Sequence, residues 1–257
     1  MTVLRSVALA FGMFSRLPVP RVDWNAKNMR YMMAGFPLVG AAVGLLLFGW
    51  AALCQWLDLG AVLTACGLTL IPVAVTGGVH LDGFCDTVDA LASRAAPARK
   101  CEILKDPHIG AFAAIGLAAY LLLYFSLCYT LVLSRPVLLL LCCALVLSRI
   151  FSAISTVFLP GTGGAGTLES FQAAADKRAV WVALLAMLAF CTAAIMAISL
   201  IGGGLMLLAA ASCWWQLARV AHWEFGGMRG DLAGWFLQRC ELFCLAALVL
   251  AQKGGWL

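Results

Sequence analysis

The sequence predicts an all-α fold, a polytopic membrane helix bundle of about seven transmembrane helices with a short N-terminal interfacial helix in front. Three observations predict it. Composition is the first: 64% of residues are hydrophobic and 11% charged, mean hydropathy is +0.99, and an average soluble domain carries roughly 25% charged residues. The second is a series of apolar runs, each near the ~20 residues needed to cross a hydrocarbon core. The third is an uneven distribution of Lys and Arg over the connections between those runs. These spans nearly exhaust the 257 residues, so a single integral membrane domain, 1–257, is expected.

Residues 1–33 open the chain. Arg5 followed by the apolar stretch Val7 to Phe14 faintly resembles a signal peptide, but Arg16 and two prolines replace the cleavage site. Leu4, Val7, Phe11 and Phe14 recur at helical spacing, which predicts a short amphipathic helix in the interface. Pro18 and Pro20 end it. Six spans follow at Ala34 to Leu57, Leu59 to Val79, Gly110 to Leu133, Pro136 to Leu159, Ala179 to Leu200 and Leu205 to Ala221. A seventh, Gly234 to Ala251, has Gln238, Arg239 and Glu241 in its first turns. Gly35, Gly40 and Gly44 permit close helix contact along the first span. The eleven cysteines form no CxxC pair and mostly lie within spans, so free, packed thiols are expected.

Seven spans sort the basic residues onto two sides. One side receives Arg5, Arg16, Arg21, Lys27, Arg30, Arg94, Arg99, Lys100, Lys105, Lys177, Arg178, Arg219, Arg229 and Arg239; the other receives Arg135 and Lys253. Fourteen against two predicts that the N-terminus and the richer side are cytoplasmic. Every polar cluster then meets one compartment. That suits a cytoplasm-facing active site better than a transporter, whose polar groups belong near the bilayer midplane.

The segment 80–109 carries the most chemistry. Asp82, Asp86 and Asp89 are spaced by four and then three residues, so a helix stacks all three carboxylates on one face. Either a divalent cation is shared among them or some become neutral. Gly77, Gly78 and Gly83 allow close backbone approach by phosphate oxygens. Carboxylates at this spacing suit Mg²⁺, which prefers a few carboxylates plus phosphate oxygens and retained water. Arg94 and Lys105 are candidates for the remaining phosphate charge. The plainer reading is a solvated loop whose aspartates pair with its four basic residues, although carboxylates stacked beside a glycine pair are an uncommon way to build one. His80 reads as a general base or as an interfacial residue pointing away from the Asp82 face; His108, after Pro107, reads as a surface residue.

Three further features bear on a site. Arg149, inside the fourth span, either snorkels or reaches a substrate phosphate. GGVHLD (Gly77 to Asp82) and GGMRGD (Gly226 to Asp231) share the frame GGxxxD at cytoplasmic span ends, so Asp231 is expected beside the first aspartates. Trp214, Trp215 and Trp223 are either lining for a wide cavity mouth or interfacial anchors. The loop Gly161 to Gly166 lacks the lysine of a P-loop and reads as a flexible connection.

The string GGVHLDGFCDTVDA followed by EILKDPHIGAF resembles the signature of the cobalamin synthase family, the adenosylcobinamide-GDP ribazoletransferases. FSRLPVP, FPLVG, the Ser148–Arg149 pair, and GGMRGDLAG followed by Glu241 extend the likeness over nearly the whole chain. The resemblance implies a Mg²⁺-dependent enzyme of a bacterial cytoplasmic (inner) membrane. Such an enzyme joins α-ribazole or its 5′-phosphate to adenosylcobinamide-GDP and releases GMP. It implies His80, Asp82, Asp86 and Asp89 as catalytic residues and Asp82, Asp86, Asp89 and Asp106 as metal ligands, and taken with the reading of the residues it leaves Gly77, Gly78, Arg94, Lys105, Arg149, Asp231 and Glu241 expected at the substrates. The lipid bilayer is the expected environment, nucleic acid is not an expected partner, and a homo-oligomer is compatible with the sequence.

Departures from the family pattern are Ala90 for a glycine, Pro107 and His108 for a Ser-Arg pair, and Gln238 for a glutamate. An alternative is a CDP-alcohol phosphotransferase: Asp86, Asp89, Ser93 and Arg94 reproduce most of the first half of that motif, but Ile103 stands where its next glycine belongs. A cation transporter is the non-enzyme alternative, weakened by spans almost free of acidic residues.

Overall fold

In a computed structural model of the chain, residues 2–162 and 166–257 are described. They form twelve helices: α1 (Thr2–Phe14), α2 (Ala26–Met29), α3 (Met32–Trp56), α4 (Gly60–Thr76), α5 (Val79–Ala92), α6 (Pro97–Ile103), α7 (Ala111–Thr130), α8 (Arg135–Phe158), α9 (Thr167–Ala174), α10 (Lys177–Ile198), α11 (Leu200–Phe225) and α12 (Gly230–Lys253). Six are long and apolar enough to cross a membrane, and α4 with α5 forms a broken seventh, bent by 94°. The all-α membrane bundle is therefore as expected, with the last span longer than the sequence suggested. Among the described residues the only β pairing is an isolated parallel bridge between Gly161 and Met228. The expectation for the Gly161 to Gly166 loop falls in part on residues 163–165, which lie outside the described residues.

Helices α8 and α12 are central. In the most apolar stretch of each, 72% of residues are buried, against 22% in α7 and 17% in α10, which face outward. Small residues bring α3 onto its neighbours. A Cβ on Gly40 would sit 2.5 Å from the Leu145 carbonyl oxygen, one on Gly44 would sit 3.0 Å from Cys142 Cβ, and one on Gly35 would meet Val7 of α1 at 3.2 Å. Close approach of this kind supplies the dispersion contact that holds helices together where lipid removes the hydrophobic difference. All eleven cysteines are free.

Local chemistry sets the turns. Ser134 caps α8 by accepting from Val137 N, with Pro136 in the first turn. Ser199 ends α10 and caps α11, accepting from Gly202 N at 3.1 Å. Asp176 caps α10 through Ala179 N and pairs with Arg30. These bonds hold the Asp176 carboxyl below the usual carboxylate range, the Ala179 N–H foremost.

Because the spans alternate in direction, α1, α2, α5, α6, α9 and the start of α12 gather at one end of the bundle. The opposite end is closed by Gln252, which exchanges two bonds with Val132 (2.8 and 2.9 Å), and by Ser199 donating to Trp256 O at 2.9 Å. Helix α1 packs on the bundle. It keeps Leu4 75% exposed but buries Ser6, Leu9 and Ala10 against the bundle, and the Arg16 N–H donates to Val75 O at 2.7 Å.

Candidate active site

Two glycine breaks build the site. Gly77 and Gly78 both adopt left-handed backbone (φ 66° and 79°), which stops α4 and turns the chain into α5; Gly226 (φ 70°) does the same between α11 and α12. The helices that follow touch backbone to backbone. A Cβ on Gly83 would lie 2.8 Å from Asp231 O, and one on Gly234 would lie 2.7 Å from His80 O. This crossing seats Asp82 beside Asp231, so the two GGxxxD frames meet as their sequences suggested.

A cleft of about 210 Å³ opens beside that junction. Asp82, Gly83, Gly230 and Asp231 form its polar end, while Met13 and Phe14 of α1, Met33 and Phe36 of α3, and Phe171 of α9 line its wall. His80 also lines it, 5% exposed, its ring 6.0 Å from that of Phe14 and 5.6 Å from that of Phe36. Among the described residues its Nε2 is buried without a hydrogen-bond partner. None of Trp214, Trp215 and Trp223 lines this cleft. Trp214 donates to Ser155 Oγ at 2.8 Å, and the other two are 59% and 69% exposed, in keeping with interfacial anchoring.

The three carboxylates of α5 go different ways. Asp82 faces the first cleft, whereas Asp86 and Asp89 line a second opening with Ser93, Asp106 and His108. Asp82, Asp231 and Asp89 are the charges that bear on Asp86, in that order. Asp89 is engaged elsewhere: its carboxylate accepts from Gly110 N at 2.6 Å and Ala113 N at 2.8 Å, capping α7. A carboxylate on two free N–H groups at a helix N-terminus gains from both hydrogen bonding and the helix dipole. Asp89→Ala is accordingly expected to cost about 1–2 kcal/mol of stability and Asp89→Asn less, read as the thermal midpoint of the detergent-solubilised protein.

The remaining predicted residues divide. Asp106 lies on the exposed connection after α6, where the His108 backbone N–H (3.0 Å) and ring Nδ1 (2.8 Å) hold its carboxyl below the usual range. Arg94, with φ 51°, and Lys105 are exposed and form no ion pair among the described residues. Gly77 is covered by Arg16, whereas a Cβ on Gly78 would meet nothing within 4 Å.

Arg149 and Glu241 are not brought into the cleft. They are 1% and 3% exposed and pair with each other deep in the bundle, with Arg149 Nη1 also donating to Leu145 O at 2.8 Å. The Ser148 hydroxyl stands 3.3 Å from the same Glu241 oxygen. Gln238, the departure from the family pattern, lies one turn before Glu241 on α12 and accepts from the Tyr120 hydroxyl of α7.

Sequence reasoning passed over three basic residues. Lys100, 5% exposed, pairs with Glu224 and fastens α6 to α11. Arg16 lies against the Gly77 bend. Arg229 bears on Asp231, and its Nη1 is buried without a partner among the described residues. Only Arg229 carried a legible signal, its place inside the second GGxxxD frame.

Among the described residues no three His, Cys, Asp or Glu side chains converge on a point that could hold an ion. The four-carboxylate metal set expected from the sequence is thus not one cage, because Asp89 caps α7 and Asp106 turns to His108. Asp82 and Asp231 remain side by side as hard oxygen donors at the end of the cleft, and the Asp86 carboxylate is close enough to feel the charge of both. That donor set fits Mg²⁺, which binds through one or two carboxylates and completes its octahedron with water and substrate phosphate oxygens.

A helical bundle spanning the membrane six or seven times, with clustered carboxylates beside a cleft at one end, defines a multi-pass membrane protein of the enzyme class. The chain belongs to the cobalamin-5-phosphate synthase family, whose model matches residues 6–249. It is similar to the adenosylcobinamide-GDP ribazoletransferase of Lachnoclostridium phytofermentans, 39% identical over 97% of this chain and 95% of that one. It is also similar to proteins of the same name from Geobacillus thermodenitrificans, 31% identical over 91% of this chain and 90% of that one, and Clostridium perfringens, 26% identical over 92% and 94%. No solved structure gives a significant match.

Proposed function

We propose that this protein transfers the cobinamide phosphate of adenosylcobinamide-GDP to a hydroxyl of α-ribazole or its 5′-phosphate, releasing GMP and forming adenosylcobalamin or its phosphate. The observation that carries the reading is the meeting of the two GGxxxD frames, which puts Asp82 and Asp231 together at the end of an aromatic cleft. Family membership and the relatives' shared name support the same reaction. In the transfer, the ribazole oxygen forms a bond to the phosphorus attached to cobinamide, its proton leaves to a base, and the bond from that phosphorus to the GMP oxygen breaks.

Asp82 and Asp231 would hold Mg²⁺, which when bound would offset charge on the diphosphate oxygens. Arg229, with an unpartnered Nη1 beside Asp231, adds a fixed positive charge that can meet a phosphate oxygen. The basic side of the protein would face the cytoplasm of a bacterial inner membrane, since fourteen of its seventeen Lys and Arg belong to that side. The CDP-alcohol alternative has no support from the family match, and the transporter loses its one midmembrane charge, since Arg149 is neutralised by Glu241.

The deciding experiment supplies the purified protein with adenosylcobinamide-GDP, α-ribazole 5′-phosphate and Mg²⁺ and measures GMP and cobamide. One-to-one formation of both, lost with EDTA and restored by Mg²⁺, is expected. Asp231→Ala is expected to lower turnover by about 10²-fold or more. Turnover unaffected by EDTA would remove the metal from the reading, and an unchanged Asp231→Ala would remove Asp231.

A further inference from the structure

We propose that the cleft between α1, α3, α5, α8, α9 and α12 is the subsite for the aromatic base of the attacking riboside, with a ring N–H of His80 donating to the base's unsubstituted imine nitrogen. The assignment rests on the transferase reading above and says which substrate group lies where. Three properties of the cleft select this occupant. At about 210 Å³ it exceeds the ~150 Å³ cavity that admits benzene and suits a bicyclic aromatic ring, but it cannot take a corrin macrocycle. Its wall is built from Met13, Phe14, Met33, Phe36 and Phe171, surfaces that favour stacking and dispersion. His80 lines it too, with its Nε2 buried and without a hydrogen-bond partner among the described residues, and Ser152, Thr156 and Thr167 add hydroxyls to the wall.

A dimethylbenzimidazole, the base of ribazole, presents two methyl groups, two fused rings and one free imine nitrogen. That matches a wall built mostly of apolar and aromatic side chains, whose polar points away from the carboxylates are the His80 ring and the Ser152, Thr156 and Thr167 hydroxyls. Guanine, the other aromatic base in the reaction, brings an amine, a carbonyl and several ring nitrogens, more polar atoms than a wall with four polar side chains away from its carboxylates can pair, and each one left buried and unpaired costs roughly 1–3 kcal/mol. A buried nitrogen without a partner is itself costly, and a ligand that satisfies it recovers that cost on binding. With the base inside, the ribose is left at the polar end, where Asp82 and Asp231 stand. His80 is then a substrate-binding residue, which accounts for its burial beside the paired rings of Phe14 and Phe36.

The test is calorimetric titration of the full-length, detergent-solubilised protein with two ribosides: α-ribazole, and its indole analogue in which a C–H replaces the imine nitrogen. Wild type is expected to bind the analogue about tenfold more weakly, the loss of one hydrogen bond. His80→Phe keeps the ring and loses the donor, so it should bind α-ribazole as weakly as wild type binds the analogue and should not distinguish the two. Ala233→Leu, which fills the cleft wall from α12, should weaken both ribosides more than tenfold and leave adenosylcobinamide-GDP affinity unchanged; it decides the question if His80→Phe does not fold. Retained tenfold discrimination in a folded His80→Phe, or an Ala233→Leu that weakens GMP or adenosylcobinamide-GDP instead, would overturn the subsite while leaving the transferase reading intact. Failure of wild type to bind α-ribazole at all would overturn both.

Discussion

Asp82→Asn is expected to lower kcat about 10³-fold, with the affinity for α-ribazole changed by much less. Asp82 is the one α5 carboxylate that stands in the aromatic cleft, and it stands there beside Asp231. Its amide replacement keeps the size and removes the charge, so substrate contacts survive while the electrostatic arrangement around the diphosphate does not. A thousandfold loss corresponds to about 4 kcal/mol of transition-state stabilisation, within the range seen when one preorganised electrostatic group is removed. Single-turnover GMP release separates the effect on chemistry from binding, and a loss confined to KM would contradict the assignment. Asp89→Asn provides the contrast: because Asp89 caps α7, its substitution should show first in thermal stability.

Glu241→Leu is expected to destabilise the bundle by about 3–5 kcal/mol. It leaves the Arg149 guanidinium, 1% exposed, without its counter-charge, and Gly40 of α3 packs directly on the Arg149 side chain, which leaves little room for it to move. The double variant Arg149→Met with Glu241→Leu should recover most of that loss, since replacing both members of a buried pair by apolar groups is often neutral. Thermal midpoints of the two single variants and the double variant in one detergent measure the coupling. If instead both residues met substrate, the double variant would lose activity at full stability.

The two variants fall on opposite sides of what could be read in advance. The six or seven spans, a short N-terminal helix, the crowding of polar groups at one end and the pairing of the GGxxxD frames were all legible, because each is written in a local pattern. The fate of Asp89 was not, since its partners, Gly110 and Ala113, lie 21 and 24 residues away. Nor was the pairing of Arg149 with Glu241, 92 residues apart, which turns two expected substrate contacts into a structural ion pair. The tryptophans illustrate a related limit. Trp214, Trp215 and Trp223 occupy one helix, and only packing shows that Ser155 takes the first while the others face outward.

By itself, the sequence determined that this chain crosses a membrane as helices, which of its ends is basic, and where the helices break. Hydropathy, charge and left-handed glycines act over a turn or two of chain, and lipid admits no backbone left unpaired. Tertiary structure alone decided which carboxylates share a cleft. Asp82, Asp86 and Asp89 share one helix face, but α5 wedges between the start of α12 and the start of α7, so Asp82 meets Asp231 while Asp89 is drawn to unpaired N–H groups. A helix face fixes the direction of a side chain, and the neighbour that fills that direction is supplied by distant parts of the chain.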